Sequence, residues 1–313
     1  MIKVGVQSDG WFSDYCPEKW ESDLEYIKSC GFDAVDFNFD NYLSSYQIRD
    51  TGFYDNLFDK SIDELIAFFT PLKKAIEKTG VTLAQSHAPF PVYFYGLDEI
   101  NDYLFMALDK CFAVCEYLNC PAIVVHPARG KGVKQDLETS LDLYKRLIPV
   151  IKKYKGVKIC LENLFDHQNT KIVQGPCSKP QDACDMIDQL NAESGGDYFG
   201  FCFDTGHANL VRQDLGEYIR TLGHRLTVLH IHDNDGIQDL HMIPYSHLLP
   251  DLSQSTDWNS FIQGLKDIGF GGTLNFETSR IYMAYPKTAH TSALKLIADI
   301  GRFWADELDK AKH

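Results

Sequence analysis

The residues of this chain best suited to chemistry are imidazoles and carboxylates, and two short stretches concentrate them. In FGFCFDTGHANL, Asp204 and His207 close an apolar, strand-like run. In LTVLHIHDNDGIQDLHMIP, His230 and His232 close a second run, with Asp239 and His241 just beyond it. Alternate side chains of a strand point to opposite faces, so Val228, His230 and His232 share one face and Leu229 and Ile231 the other. Two imidazoles on an otherwise buried face must find polar partners. A metal ion shared with nearby carboxylates is the most economical partner.

Four more ligand-type residues stand at the ends of apolar runs: His87 in AQSHAPF, His126 in IVVHPARG, Glu162 in ICLENLF and Glu277 in LNFETSR. Singly, each has a plainer explanation. A strand-end histidine is commonly hydrogen-bonded for structural reasons, and a strand-end carboxylate can cap the next helix. Ligand chemistry at six consecutive strand ends points instead to one shared centre.

The elements that would position these residues alternate along the chain. Strands are expected at Ile2–Gln7, Ala34–Phe39, Val81–Ser86, Ala122–Val125, Val157–Leu161, Phe199–Phe203, Leu226–Ile231 and Gly272–Phe276. Helical spacing marks Glu18–Ser29, Ile62–Lys78, Leu97–Leu118, about Lys134–Tyr154, Pro180–Leu190, Leu215–Leu222, Trp258–Ile268 and His290–Leu308. Tyr42–Lys60 reads as a long aromatic and polar loop with room for short helices. Parallel strands need helical crossovers and read as apolar runs. Eight strand–helix units in 313 residues therefore predict an α/β fold, a single (β/α)8 TIM barrel filling the chain as one domain. In such a barrel all C-terminal strand ends meet at one mouth, so the six ligand positions would converge.

Composition narrows the classes of function. The formal charge of -14 argues against a long nucleic-acid footprint, which calls for a basic face. Nine cysteines without a CxxC pair or regular spacing suit a reducing, cytoplasmic setting. The start of the chain, MIKVGVQSDG, enters a strand pattern directly, and no apolar run approaches membrane-spanning length.

The motif set resembles the xylose isomerase-like TIM-barrel superfamily, which contains sugar and sugar-phosphate isomerases and epimerases as well as endonuclease IV. LEN at Glu162, FDTGH at Asp204–His207, HIHDNDG from His230, DLH at Asp239–His241 and ET at Glu277 carry the resemblance over nearly the whole chain. The epimerase branch implies one divalent metal held by Glu162, Asp204, His230 and Glu277, with Glu162 and Glu277 facing each other across the substrate. The endonuclease IV-like branch implies three zinc ions on His87, His126, Glu162, Asp204, His207, His230, Asp239, His241 and Glu277. His232 is expected to support these ligands or to compete with His230.

Imidazole and carboxylate donors suit Zn²⁺, Mn²⁺ or Co²⁺, in one to three sites. For isomerase or epimerase chemistry, the cation would chelate the carbonyl and a neighbouring hydroxyl and stabilise an enediolate while the two glutamates move the proton. The alternatives are a multinuclear zinc phosphoesterase of the AP endonuclease 2 type and a non-catalytic metal- or sugar-binding barrel. His87, His207 and Arg280 are candidates to bind a small sugar or sugar-phosphate substrate, with Trp11 and Phe39 as its apolar wall. Those aromatics could equally cover the barrel top or form a contact in a homo-oligomer. Arg129 and Lys131 are the other basic residues expected at the mouth. The loop from Gly236 to Trp258 is long enough to act as a lid carrying Asp239 and His241.

Overall fold

The computed structural model describes residues 1–52, 55–247 and 255–310. The first half of the chain runs β1 (Val4–Gln7), α1 (Trp20–Ser29), β2 (Ala34–Asn38), α2 (Ser45–Thr51), α3 (Ile62–Thr79), β3 (Thr82–His87), α4 (Asp98–Leu118), β4 (Ala122–Val124) and α5 (Val133–Ile151). Next come β5 (Lys158–Glu162), a hairpin of β6 (Phe165–Gln168) and β7 (Lys171–Gln174), α6 (Pro180–Ser194), β8 (Phe199–Asp204) and α7 (Thr205–Leu210). The chain then forms α8 (Leu215–Leu222), β9 (Leu226–His230), α9 (Trp258–Asp267), β10 (Leu274–Phe276), α10 (Ile281–Ala284) and α11 (His290–Lys310).

Eight parallel strands lie in the order β10-β1-β2-β3-β4-β5-β8-β9. Ile231 closes the ring between its two ends. Its amide donates to the Asn275 carbonyl at 2.9 Å, and its own carbonyl accepts from the Glu277 amide at 3.0 Å. The expected α/β TIM barrel is therefore the fold observed. Among the described residues, no helix is long and apolar enough to cross a membrane.

Side-chain alternation sorts the strands into two faces. Val4 and Val6, Val35 and Phe37, Ile123, Ile159 and Leu161, Phe201 and Phe203, Leu229 and Ile231, and Leu274 and Phe276 belong to the large apolar core. The alternate residues form a smaller apolar cluster of Ala122, Val124, Cys160, Cys202 and Val228. Above it on the same faces come polar and ionisable groups. The outer helices meet the apolar face with residues at helical spacing. In α3 these are Leu65, Phe69, Leu72 and Ala75; the helix starts at a Ser61–Glu64 capping box and ends at Gly80, whose left-handed backbone suits glycine.

Helix α11 seals the first and last strands. A Cβ on Gly301 would lie 2.5 Å from Val4 and 2.8 Å from Phe276, so only a glycine allows this approach. Trp304 stacks on Phe276 and Trp258 at centroid distances of 5.7 and 5.2 Å.

Several local features differ from the sequence reading. Helix α6, expected to end at Leu190, continues to Ser194 before Gly195 ends it, whereas α2 is one of the short helices for which Tyr42–Lys60 has room. The β6–β7 hairpin has no counterpart among the expected elements; its polar ladder pairs Asp166 with Val173 and Gln168 with Lys171, not buried apolar residues. Residues 248–254, the middle of the expected lid, lie outside the described residues. The first part of that loop folds back on itself through paired backbone bonds between Asp233 and Met242.

Trp304→Ala is expected to lower unfolding stability by about 3–5 kcal/mol, because it empties the largest aromatic contact between α11 and the barrel; denaturant unfolding monitored by circular dichroism measures the loss.

Candidate metal centre and active-site cleft

The inward-facing strand ends deliver their side chains to a cleft of about 570 Å³. Its lining includes His87, His126, Glu162, His207, Asp239, His241, Glu277 and Arg280. His87, Glu162, Asp204 and His230 are the last residues of β3, β5, β8 and β9, and Glu277 directly follows β10. His126 lies two residues past β4 and keeps the inward parity of Ala122 and Val124.

Two groups of donors form, and they share members. In the first, His126 Nε2 is 2.9 Å from both His87 Nε2 and Glu162 Oε2. His230 Nδ1 lies 3.3 Å from Glu162 Oε2 and 3.4 Å from Glu277 Oε2. In the second, His232 Nε2 is 3.1 Å from Asp204 Oδ2, and His241 Nε2 is 3.0 Å from Asp239 Oδ2. The groups join where His207 Nδ1 comes within 3.1 Å of Glu162 Oε1 and where His241 Nδ1 comes within 3.7 Å of Glu277 Oε2. Donor atoms of Asp204, His230 and Glu277 all lie within 4.8 Å of one another. So do those of His87, His126 and Glu162, and of Asp204, His207 and His232.

These spacings fit a shared cation. Nitrogen and oxygen ligands sit about 2.0–2.2 Å from a tetrahedral zinc, which puts neighbouring ligand atoms about 3.3–3.6 Å apart. Several of these buried atoms, though close to other ligand-type groups, have no well-directed hydrogen bond: both carboxylate oxygens of Glu162, Nδ1 of His230 and Oδ1 of Asp239. Such atoms are costly to bury unless something else satisfies them.

The surrounding chain holds the donors in place. Asp204 caps α7 with Oδ1, which accepts from the His207 amide at 2.6 Å, while Oδ2 faces His232. The sequence leaves open whether a strand-end carboxylate caps a helix or binds a ligand; Asp204 is placed to do both. The FDTGH glycine has a steric reason, since a Cβ on Gly206 would lie 1.9 Å from Cε1 of His232. His232 thus packs within the second group, its ring stacked 4.1 Å from that of His241. His241 itself holds a left-handed φ of 46°, an uncommon conformation for a non-glycine residue. Gln7 Nε2 donates to Glu277 Oε1 at 3.0 Å.

Asp36 was not among the sequence candidates, because it lies inside β2 and not at its end. Its Oδ2 accepts from His230 Nε2, Gln85 Nε2 and Asn275 Nδ2 at 3.1, 3.0 and 3.1 Å. This contact turns Nδ1 of His230 toward the cleft. Asp9, Asn38 and Asp40 likewise line the mouth without having been singled out.

Protonation follows these contacts. Burial lowers the His87 pKa to about 4, helped by His126 and His230. Burial works against charge at Glu162, yet the neighbouring His126 and His230 hold its carboxyl well below the usual range. At Glu277 burial prevails over His230 and His241, and the pKa rises. His241 is lifted to about 9 by Glu277 and Asp239 despite its burial.

Trp11 and Phe39 do not line the cleft. Phe39 has the parity of Val35 and Phe37 and packs outward against Phe58 and Phe69. The Trp11 indole donates to the Gln7 carbonyl at 2.7 Å. The apolar lining comes from Phe90, Leu164, Phe165, Tyr282 and Met283.

The family model described as xylose isomerase-like TIM barrel matches residues 24–300, and the chain belongs to that family. An uncharacterized protein of Sinorhizobium fredii, y4fM, is 25% identical over 185 residues, covering 57% of this chain and 55% of its own. The chain thus spans about half the length of the curated relatives it matches. A D-tagatose 3-epimerase-like protein has a similar structure, with a TM-score of 0.68 at 18% identity, covering 100% of both chains. So does the E. coli 3-keto-D-glucoside 4-epimerase YcjR, with a TM-score of 0.65 at 18% identity over 96% of this chain and 100% of that one.

Asp36→Ala removes the acceptor that orients His230 and is expected to weaken uptake of Zn²⁺ or Mn²⁺ about 10- to 100-fold, as read by titrating metal-stripped protein.

Proposed function

We propose that this member of the xylose isomerase-like TIM-barrel family is a divalent-metal-dependent sugar isomerase or epimerase whose proton-transfer pair is Glu162 and Glu277. One observation carries the reading. The two carboxylates come from strands three places apart in the ring and converge on Nδ1 of His230, at 3.3 and 3.4 Å. The structural likeness to sugar epimerases supports the same class.

Glu162, Asp204, His230 and Glu277 are the residues to hold a cation. When bound there, a divalent ion supplies Lewis acidity that polarises the sugar carbonyl and stabilises the charge developing on it. Every other task falls to the chain. Glu162 or Glu277 takes the proton from the carbon beside the carbonyl, and the other returns one from its own side. Gln7 fixes Oε1 of Glu277, which leaves Oε2 directed at the reacting position. His87 and His207 border the same space and are placed to bind substrate hydroxyls, as are Asp9, Asn38 and Asp40 on the β1–β2 side. Phe90, Phe165 and Tyr282 offer apolar faces to the sugar and displace water.

A second reading draws on the second donor group. His207, His232, Asp239 and His241 surround Asp204 and could hold a further ion, which a multinuclear phosphoesterase needs. The acidic cleft wall of Asp9 and Asp40 disfavours a nucleic-acid backbone in that space.

Glu162→Gln and Glu277→Gln are each expected to reduce ketose interconversion at least about 100-fold; an active Glu277→Gln enzyme would remove that residue from the pair. Chelation should abolish turnover, with Mn²⁺, Co²⁺ or Zn²⁺ restoring it. One metal equivalent per chain by elemental analysis fits the isomerase or epimerase, whereas two or three favour the phosphoesterase.

A further inference from the structure

Most arginines in this chain have a partner within the protein. Among the described residues, Arg49, Arg146, Arg220, Arg225 and Arg302 each pair with a carboxylate. Arg212 reaches the Gly236 carbonyl. Arg129 and Arg280 make no ion pair, and both line the cleft. In a chain carrying a net charge of -14, carboxylates are plentiful. Arg129 and Arg280, with no ion pair among the described residues, both border the space a substrate would fill.

The two differ in how they are held. Arg280 is exposed, and its guanidinium touches the sulfur of Met283 at 3.8 Å. Arg129 is half-buried, three residues beyond His126, with its guanidinium 5.5 Å from the centroid of the Phe165 ring. Phe165 begins β6 and packs on His207, so the hairpin forms a shelf under Arg129 beside the donor groups. An aromatic shelf fixes a guanidinium without occupying its hydrogen-bond donors. Those donors are free to grip a planar carboxylate or a phosphate at two points. On the β1–β2 side the cleft carries two carboxylates, Asp9 and Asp40. A substrate anion would therefore be repelled there and drawn to the β4–β5 side.

We infer that Arg129 anchors an anionic group of the substrate, a carboxylate or a phosphate ester, so that the cleft takes acidic sugars in preference to neutral ones. This rests on the sugar reading of the same cleft. Arg129 binds the anion, Phe165 holds Arg129 in place, and the reacting carbons lie toward Glu162 and Glu277. By strand order β4 and β10 stand opposite each other in the ring, so Arg280 meets a different part of the ligand.

The test compares three probes of one carbon skeleton, D-fructose, D-fructose 6-phosphate and D-fructuronate, by calorimetric titration of the full chain. At least one charged probe should bind more tightly than D-fructose. Arg129→Met keeps the stem contact with Phe165 and should cut the charged-to-neutral affinity ratio about 10- to 100-fold, with Arg129→Lys between the two. A loss for the phosphate alone identifies a sugar phosphate, and a loss for the uronate alone a sugar acid. Unfolding midpoints of the variants check that they remain folded. The inference is overturned if no charged probe is preferred, if Arg129→Met weakens all three equally, or if Arg280→Met and not Arg129→Met collapses the ratio. Calorimetry reads binding without turnover, so an intact ratio in a protein that interconverts no ketose would sink the isomerase or epimerase reading alone.

Discussion

A single buried carboxylate oxygen ties the interior of this barrel together. Oδ2 of Asp36 collects donors from β3, β9 and β10 while standing on β2. A carboxylate in a low-dielectric interior is tolerable when its lone pairs are engaged by well-aimed donors. The same contacts settle which nitrogen of His230 faces the cleft, and with it the direction in which Glu162 and Glu277 converge. The polar floor is thus both the device that makes the interior physically acceptable and the jig that aligns the site. An all-aliphatic interior of the usual TIM-barrel kind would be easier to bury, but it could not orient an imidazole.

Much of this was legible in the sequence because parallel strands obey a period of two. Val35 and Phe37, or Leu229 and Ile231, mark the outward face, and the residue types between them mark the inward one. Once the ring is closed, His87, His126, Glu162, Asp204, His230 and Glu277 have little freedom except to meet. The same rule, applied more strictly, would have turned Phe39 away from the substrate, since it shares parity with Phe37. It would also have flagged Asp36, an inward-facing position that a search confined to strand ends passes over.

Other features leave no such trace. The β6–β7 hairpin is short, polar and half exposed, so it lacks the apolar pattern by which strands are recognised, and Asn169 with its left-handed backbone is its faint marker. The pairing of Arg129 with Phe165 joins two loops through a contact that no local pattern encodes. The stacking of His232 on His241 depends on how the chain returns after Asp233, a matter of loop conformation and not of strand period. Sequence patterns report on regular elements facing a core; loops that meet over a cleft are arranged by tertiary contacts.

The closure of the ring has a consequence for how the molecule responds to ligands. Among the described residues, the backbone bonds across the last seam are the two made by Ile231, which sits between His230 and His232 and opposite Phe276, the residue before Glu277. This is the thinnest suture in the sheet, and donor groups flank it on both edges. Whatever grips His230 and Glu277 together also clasps the seam, so affinity at the mouth and resistance to unzipping become one thermodynamic quantity seen from two sides. The barrel is fastened by the same act that arms it.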